Sequence, residues 1–274
     1  MSTQRFSILH VEGGTHEERS ESVAHEEPLA LQVNGASIAV LMRTPPSEEL
    51  ATTDEELALG FLLSERVIRA AADVQSIRVC DTLLDEEAEG NVLRVVLRPG
   101  VDLEFERLRR HTFSSSSCGV CGKASLQSAT ALFPPLTDRA RVLPGTLAAL
   151  PEALLARQSG FRASGGLHAA GLFSLQGEVV LVREDVGRHN AVDKVVGGML
   201  RAGLAPEEHL LVVSGRIAFE LVQKAAAARL PVIAGVSAPT SLAVRAGEAL
   251  GVTVVGFLRG SGFNVYAAAH RIAR

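Results

Sequence analysis

One pattern in the second half of the chain constrains the fold more than any other feature. It consists of an apolar run, a turn of polar residues and glycine, and then a helical stretch; the apolar runs cover residues 179–182, 210–213, 232–234 and 252–257. These runs do not alternate with polar residues, as a strand with one face in water does, so each is expected to be a strand buried on both faces. Such strands separated by helices predict an α/β fold in which a sheet lies between two helical layers.

The first half of the chain predicts a smaller α+β domain over residues 28–110. Alternating apolar residues at 28–42 flank Asn34-Gly35, a pair that is typical of a type I′ hairpin turn. Thr53 and Glu56 form a capping box that opens a helix, and further strands are expected at 75–80 and 92–97. Residues 1–27 are polar and rich in Glu and His, so we expect a disordered tail there.

Composition narrows the functional classes. The 274 residues carry a net charge of −4 and no basic excess, which argues against nonspecific nucleic-acid binding. No apolar run approaches the roughly 18–20 residues of a membrane span, and the N-terminus has no apolar leader segment. Three cysteines in this length indicate a reducing compartment rather than a disulfide scaffold. We therefore expect a soluble cytoplasmic protein that binds neither nucleic acid nor membrane.

Polar residues cluster where the predicted strands of the α/β domain, residues 146–274, end. In α/β sheets this is where ligands bind, and arginine side chains bind phosphate oxygens in a fork geometry. A single exposed arginine is usually an ordinary surface residue, but three at successive strand ends favour a phosphorylated ligand. The candidate binding residues are Arg188 and Asp193; Ser214, Gly215 and Arg216; Ser237, Thr240 and Ser241; and Arg259, Gly260, Ser261 and Gly262.

Carboxylates in the first of these clusters are candidates for reading a nucleotide base. Asp193 or Asp185 would accept hydrogen bonds from a donor edge such as the N1–N2 face of guanine. The chain has neither G-x-x-x-x-G-K-[ST] nor a strand-borne G-x-G-x-x-G, so an ordinary P-loop or Rossmann site is not expected. The predicted ligand site therefore rests on the strand ends rather than on a known nucleotide motif.

A second candidate site is the motif Cys118-Gly-Val-Cys121-Gly. It follows a run of four serines at 114–117, in a stretch, residues 111–145, that we expect to be a mobile loop region. Basic residues at 109–111 and Lys123 surround it in sequence, and nearby positive charge lowers the pKa of a thiol. The motif suits a reactive thiolate that carries a group between two large partners. Cys80 lies in a predicted strand and is expected to be a buried small hydrophobe.

Metal or redox chemistry at the cysteine pair remains open. Zinc would need two further ligands, such as Cys80 and one of the histidines at 111, 168 and 189, and no second paired spacing exists. A thioredoxin-like dithiol would need a strand that leads directly into an amphipathic helix, and the sequence lacks this setting. Zinc deaminases place a catalytic Glu two residues after a His ligand; after His168 that position is Ala170, so the acid/base group of a deaminase is missing.

Several motifs, taken together, closely resemble the FdhD family of formate dehydrogenase accessory sulfurtransferases. They are Cys118-Gly-Val-Cys121-Gly, Gly166-Leu-His168-Ala-Ala-Gly171, the stretch 184–194 that begins Glu184-Asp185-Val-Gly187-Arg188, Ser214-Gly215-Arg216, Ser237-Ala-Pro239-Thr240-Ser241 and Phe257-Leu-Arg259-Gly260. The resemblance runs from about residue 28 to the C-terminus. It is most specific over residues 184–194.

The resemblance implies a sulfur carrier. Such proteins take persulfide sulfur from a cysteine desulfurase and transfer it to the molybdenum of the bis(molybdopterin guanine dinucleotide) cofactor, which formate dehydrogenase requires. The resemblance implies that Cys118 carries the persulfide, and it leaves open whether Cys121 is needed as an accessory thiol. GDP is expected to mimic the cofactor. The residues implied in cofactor binding are Phe257, Leu258, Arg259, Gly260, Ser261 and Gly262. His168 is a further candidate from the residues themselves: it either lines the site or is a structural histidine.

The resemblance also implies a homodimer, and a larger domain with the cytidine-deaminase fold but without zinc. Gly262 departs from the family pattern, because a basic residue is expected near that position. Two alternatives stay open: a chaperone that carries the cofactor without sulfur chemistry, and a deaminase-type zinc protein. Persulfide on Cys118 would distinguish a carrier from the chaperone, and stoichiometric metal would identify the zinc protein.

Overall fold

The strands and helices are those of a computed structural model that describes residues 2–47, 50, 53–80, 90–101 and 133–273. The strands are β1 (Thr3–Glu12), β2 (Thr15–Ala24), β3 (Glu27–Val33), β4 (Ala36–Arg43), β5 (Val74–Val79), β6 (Val92–Leu97), β7 (His168–Ser174), β8 (Val179–Asp185), β9 (His209–Val213), β10 (Val232–Gly235), β11 (Thr253–Arg259) and β12 (Gly262–Ala267). The α-helices are α1 (Asp54–Ser64), α2 (Pro144–Leu155), α3 (Ser159–Ser164), α4 (Arg188–Arg201), α5 (Phe219–Ala227) and α6 (Ser241–Leu250). No helix in these ranges is long and apolar enough to span a membrane.

The larger sheet has the strand order β12-β11-β10-β9-β7-β8. Strands β9, β10 and β11 are parallel, whereas β7 is antiparallel to both of its neighbours, β8 and β9, and β12 is antiparallel to β11. Strand β8 therefore runs in the same direction as β9, β10 and β11. As a result, the carboxyl ends of these four strands and the amino ends of β7 and β12 share one edge of the sheet.

Helices cover both faces of this sheet, as the unalternated strands predict. On one face, Leu211 and Ile233 belong to a core that includes residues of α4, α5 and α6. On the other face, Leu210 and Val232 belong to a second core that includes residues of α2. Successive residues of a strand point to opposite faces, so each central strand contributes to both cores. The prediction of an α/β fold is confirmed.

The smaller sheet has the order β4-β3-β6-β5. The predicted hairpin is confirmed: β3 and β4 are antiparallel, and Asn34 (φ 49°) and Gly35 (φ 84°) have the positive φ angles of a type I′ turn. Leu31 and Leu93 of this sheet belong to the same apolar cluster as Val195 of α4. The small α+β unit therefore shares its core with the α/β domain.

Helix α1 begins at the predicted cap and connects the two sheets. The Thr53 hydroxyl accepts a hydrogen bond from the N–H of Glu56 at 3.2 Å. The Glu56 carboxylate is bound by the Arg183 guanidinium of β8, with Nε at 2.7 Å. One half of the capping box is thus present, while the Glu56 side chain joins α1 to the larger sheet.

Two glycines bring α1 and α4 into backbone contact. A Cβ atom at Gly60 would lie 1.9 Å from the carbonyl oxygen of Asp193, and one at Gly197 would lie 1.8 Å from the carbonyl oxygen of Glu56. No other residue type fits at such a distance without displacement of a helix. This close crossing fixes the position of the smaller sheet relative to α4, whose first turn lies at the edge of the larger sheet.

The prediction of a disordered tail over residues 1–27 is wrong for the part that the structure describes. Residues 3–24 form the antiparallel hairpin β1–β2 around Gly13-Gly14, whose φ angles are 57° and 86°. Two residues with positive φ allow the chain to reverse tightly. The segment is polar on average, but Phe6 and Ile8 stand two residues apart, which is the period of a strand. Average composition conceals this local pattern.

Candidate functional site

One edge of the larger sheet collects the polar residues that the sequence places at strand ends. Arg188 follows β8, Ser214 follows β9, Ser237 follows β10 and Arg259 ends β11. His168, the first residue of β7, lies at the same edge because β7 runs in the opposite direction. The structure thus brings the four predicted clusters and His168 to one side of the domain.

The turn after β9 packs tightly against the start of β7. The Ala169 N–H donates to the Ser214 hydroxyl (3.0 Å), and the Ser214 N–H donates to the Ala169 carbonyl (3.0 Å). A Cβ atom at Gly215 would lie 3.5 Å from Nδ1 of His168 and 3.8 Å from Cδ of Arg188. His168, Gly215 and Arg188 are therefore neighbours in space, although they come from three separate parts of the chain.

Two buried polar atoms at this edge have no hydrogen-bond partner among the described residues: Nε of Arg188 and Nε2 of His189. Burial, together with the charges of Lys224, Arg188 and His168, lowers the pKa of His189 to about 4. Burial also lowers the pKa of His168, and Arg188 adds to this effect. Both imidazoles are therefore neutral near pH 7. The unpaired guanidinium N–H beside them fits an anionic ligand such as a phosphate oxygen.

The end of β11 has a strained backbone. Phe257 has a φ angle of 53°, in the left-handed region, which costs a bulky residue about 1–3 kcal/mol. Its N–H donates to the Ser237 carbonyl (3.1 Å). Arg259 Nε donates to the Val236 carbonyl (2.9 Å), and its guanidinium lies 5.9 Å from the centre of the Phe257 ring. Strained residues of this kind cluster at binding sites, and here the strained segment holds Arg259 beside the turn after β10.

The turns after β9 and β10 add exposed groups to the same edge. Arg216 is exposed in the first of them, and Ser237 is half-buried in the second. Thr240 is the N-cap of α6, because its hydroxyl accepts from the Ala243 N–H at 3.3 Å. The hydroxyl is the acceptor in this cap, so its O–H can still donate to a ligand, as can those of Ser237 and Ser241.

The prediction that Asp193 reads a ligand is wrong. The Asp193 side chain is 1% exposed, and its carboxylate accepts from Lys224 Nζ (2.7 and 2.8 Å) and from the Ser64 hydroxyl (2.9 Å). Asp193 lies more than one turn inside α4, where α1 and α5 cover it, rather than at the strand end. The sequence has no signal for this, because the covering residues are distant along the chain.

Asp185 is also unavailable to a ligand. Its carboxylate is fully buried and accepts from the Thr44 and Gly187 N–H groups (3.1 and 2.9 Å) and from Asn190 Nδ2 (3.0 Å). Lys194 Nζ lies 2.7 Å from it and forms an ion pair. These partners satisfy the lone pairs of both oxygens. Asp185 therefore organises the β8–α4 turn and does not contact guanine.

Comparison with known proteins agrees with this architecture. The model of the FdhD/NarQ family matches residues 24–273. This chain belongs to the FdhD/NarQ family. Two curated relatives named Sulfur carrier protein FdhD are 47% identical to it: one from Streptomyces coelicolor, over 99% of this chain and 96% of the relative, and one from Mycolicibacterium paratuberculosis, over 98% of each. The resemblance inferred from the motifs is confirmed.

A solved structure shares the fold of this FdhD/NarQ chain. It is the crystal structure of a protein assigned as a formate dehydrogenase accessory protein from Desulfotalea psychrophila, with a TM-score of 0.78, 25% identity and coverage of 100% of both chains. The mixed α/β architecture therefore occurs in an accessory protein of this kind. The likeness to the cytidine-deaminase fold and the homodimer stay predictions.

The cysteine motif of this FdhD/NarQ chain, Cys118 and Cys121, lies outside the described residues, as do residues 111–132 of the predicted loop region. Cys80 is buried, as predicted. Within the described ranges, no three His, Cys, Asp or Glu side chains group closely enough to hold a metal ion.

Sequence reasoning missed a cavity that opens at the edge with the arginines. It measures about 470 Å³ and lies between this edge and helices α2 and α3. Strand-end signals do not find it, because most of its wall comes from helices that precede the strands in the chain. Its lining residues are Pro151, Glu152, Leu154, Leu155, Gln158, Phe161, Gly165, Gly166, Leu167, His168, Ser214 and Val236.

Proposed function

We propose that this chain is a sulfur carrier that serves formate dehydrogenase. The observation that carries the proposal is 47% identity, over nearly the whole chain, to proteins named Sulfur carrier protein FdhD. The assignment of the D. psychrophila relative as a formate dehydrogenase accessory protein supports the same role. The proposed partners are a cysteine desulfurase as the sulfur donor, formate dehydrogenase as the recipient, and a second copy of the chain in a homodimer.

The proposed chemistry takes place at Cys118. Its thiolate attacks the outer sulfur of the desulfurase persulfide; an S–S bond forms on Cys118, the S–S bond of the donor breaks, and the donor cysteine leaves as a thiolate. In the second step, the outer sulfur of the Cys118 persulfide bonds to the molybdenum of the cargo cofactor. That sulfur accepts two electrons from Mo(IV), which becomes Mo(VI), so Cys118 returns to a thiolate.

The cargo in this proposal is bis(molybdopterin guanine dinucleotide), and the sheet edge fits its phosphates. Arg188 offers a buried N–H without a partner among the described residues, and Arg216 and Arg259 are exposed at the same edge. Guanidinium groups bind phosphate oxygens in paired hydrogen bonds. Gly262 contributes no charge where the family resemblance predicts a basic residue, so the hold on phosphate at the β11–β12 turn depends on Arg259.

Intact-protein mass spectrometry tests the sulfur step. After incubation with a cysteine desulfurase and cysteine, we expect the wild-type protein to gain about 32 Da, one sulfur, in a form that a thiol reductant removes. Cys118→Ala is expected to gain none. Cys80→Ala is the matched control and is expected to gain sulfur like the wild type, because Cys80 is buried. Cys121→Ala shows whether the second thiol of the motif is required.

The same experiment separates the carrier from its alternatives. A wild-type protein that takes no sulfur from a donor shown to be active on another acceptor would refute the carrier and favour the cofactor chaperone. In the chaperone, the arginines carry the function, and Cys118→Ala would still activate formate dehydrogenase. One equivalent of zinc in the purified protein would instead favour the deaminase-type alternative.

A further inference from the structure

The hairpin β1–β2, residues 3–24, is an arm that the rest of the described chain leaves largely uncovered. Only its base is packed: Ser2 is buried, and a Cβ atom at Gly166, just after α3, would lie 3.0 Å from Cβ of Ala24. Residues 11–21, which include the tip, are all exposed. A two-stranded hairpin on its own is only marginally stable in water. A further surface that covers the arm would therefore stabilise it.

One face of the arm is apolar near its base and acidic towards its tip. Successive residues of a strand point to opposite faces, so Phe6 and Ile8 share a face, and the ring of Phe6 is 50% exposed. The residues opposite Phe6 and Ile8 in β2, and those nearer the tip on the same face, are charged. Three carboxylates and one guanidinium give this face a net negative charge; they belong to Glu12, Glu17, Glu21 and Arg19.

The open face of the smaller sheet carries the opposite charge. Val40 and Met42 of β4 are 60% and 49% exposed, whereas Leu41 between them packs against the core, so the two exposed side chains point away from it. Arg78 of β5 and Arg94 of β6 are exposed and lie directly opposite each other in the register. Like charges in such a pair destabilise a sheet, and neither arginine forms an ion pair with a described residue. An acidic partner would relieve their repulsion.

The two surfaces present apolar and charged groups in the same order. In the smaller sheet, Val40 aligns through β3 with Val92, so Arg94, two residues further along β6, points to the same side. On the arm, Phe6 and Ile8 are followed by the pair of His10 and Glu17. Both orders advance by the two-residue step of a strand, about 7 Å. Contact between the apolar groups therefore brings the carboxylates to the arginines.

We propose that the arm of one copy of this chain covers the open face of the smaller sheet of a second copy, and the reverse. This inference rests on the homodimer proposed above and names its surface. The arm does not cover the sheet of its own copy, because Val40 and Met42 remain exposed there. An exchange of this kind is symmetric, and the arm together with the sheet face supplies the roughly 20–30 residues a side of a stable interface.

The exchange also relates the two ligand edges. The carbonyl of Met42 accepts from Nδ2 of Asn190 (2.6 Å), in the first turn of α4. The open face of the smaller sheet therefore borders the edge where Arg188 lies, and the arm of one copy lies beside the ligand edge of the other.

Sedimentation equilibrium of the full chain tests the proposal through the Kd of the dimer. Arg78→Glu/Arg94→Glu and Glu17→Arg/Glu21→Arg each place like charges across the interface, and each is expected to weaken the dimer by about ten-fold or more. The protein with all four substitutions has opposite charges in contact again and is expected to regain a dimer close to that of the wild type. All four side chains are exposed, so urea unfolding of the monomer should change little.

Phe6→Ser and Leu9→Ser form a matched pair for the apolar part of the arm. The two side chains are 50% and 58% exposed and lie on opposite faces of β1. Phe6→Ser is expected to weaken the dimer by about ten-fold, because it removes buried apolar area from the interface, whereas Leu9→Ser should leave the Kd unchanged. Equal effects of the two substitutions would contradict the assignment of the face.

The outcomes separate the arm exchange from the homodimer itself. A dimer with the same Kd in both charge reversals and in Phe6→Ser overturns the arm exchange and leaves a homodimer through another surface. Charge reversals that weaken the dimer without recovery in the combined protein overturn the pairing of the arm with this sheet face. A wild type that sediments as a monomer overturns the exchange and the homodimer together, whereas the persulfide measurement on Cys118 is unaffected.

Discussion

Alanine at Gly197 tests whether the backbone contact between α1 and α4 holds the two sheets together. The new Cβ atom would lie 1.8 Å from the carbonyl oxygen of Glu56, and Cβ atoms in proteins essentially never approach within 3.0 Å of another heavy atom. A carbonyl oxygen inside a helix cannot rotate away as the end of a side chain can. Helix α1 must therefore shift as a body, and the core around Leu57 and Val195 must open with it.

The magnitude follows from two opposing effects. Alanine favours a helix over glycine by about 1 kcal/mol, while extra atoms forced into a packed core destabilise by about 1–3 kcal/mol. Because the obstacle here is rigid backbone, we expect the upper end of that range and a net loss of about 2 kcal/mol. For a protein of this size, such a loss lowers Tm by about 4–8 °C.

Gly198→Ala is the matched control, one position along the same helix. Its Cβ atom would lie 3.1 Å from Glu56 Oε1 and 3.1 Å from Leu181 Cδ1, side-chain atoms that need to shift by only a few tenths of an ångström. The gain in helix propensity is the same, so this variant is expected to be as stable as the wild type or slightly more stable. The measurement is urea unfolding of the wild type, Gly197→Ala and Gly198→Ala, which gives the free energy of unfolding of each protein. Equal unfolding free energies for Gly197→Ala and Gly198→Ala would show that the helices yield easily, and the reasoning would be refuted.

Three further predictions concern Asp193, His189 and Arg259. Asp193→Asn leaves the Lys224 ammonium buried without its counter-charge and is expected to destabilise by about 3–5 kcal/mol in urea unfolding; a stable variant would mean that the pair is not charged. His189 has a folded pKa of about 4, below its ordinary 6.5, so its contribution to stability is lost as pH falls from 6.5 towards 4. His189→Gln should therefore lose less unfolding free energy than the wild type between pH 7 and pH 5, and equal slopes would contradict a buried neutral imidazole. Arg259→Ala is expected to weaken GDP binding about ten-fold at low salt and less at high salt; an unchanged Kd would remove Arg259 from the phosphate site.

Local patterns predicted the elements that depend on neighbouring residues. The hairpin at Asn34-Gly35 and the N-cap at Thr53 both occur as expected, because turn and cap chemistry act over a few residues. The same local rules also apply to the hairpin at Gly13-Gly14, but the polar average of residues 1–27 hid it. The prediction of a disordered tail was wrong because it relied on average composition rather than on the alternation of apolar residues.

Predictions that depended on tertiary contacts were less complete. The strand-end rule correctly placed Arg188 and Arg259 at one edge, because strand direction alone decides where such residues lie. It failed for Asp193, which is paired with Lys224 from α5. It also missed the cavity, which forms only where α2 and α3 fold back over the sheet edge.

Local sequence patterns predicted the α/β class, the family and the set of polar side chains at the strand ends, because strand burial, turn chemistry and motif spacing are properties of neighbouring residues. Three features depend on how the chain folds. Strand β7 is antiparallel to β8 and β9 and brings His168 to the arginines. Asp193 and Asp185 form ion pairs with buried lysines, and α2 and α3 enclose a cavity beside the sheet edge. Each of these depends on contacts between residues far apart in the chain, and no local pattern encodes which of them will meet.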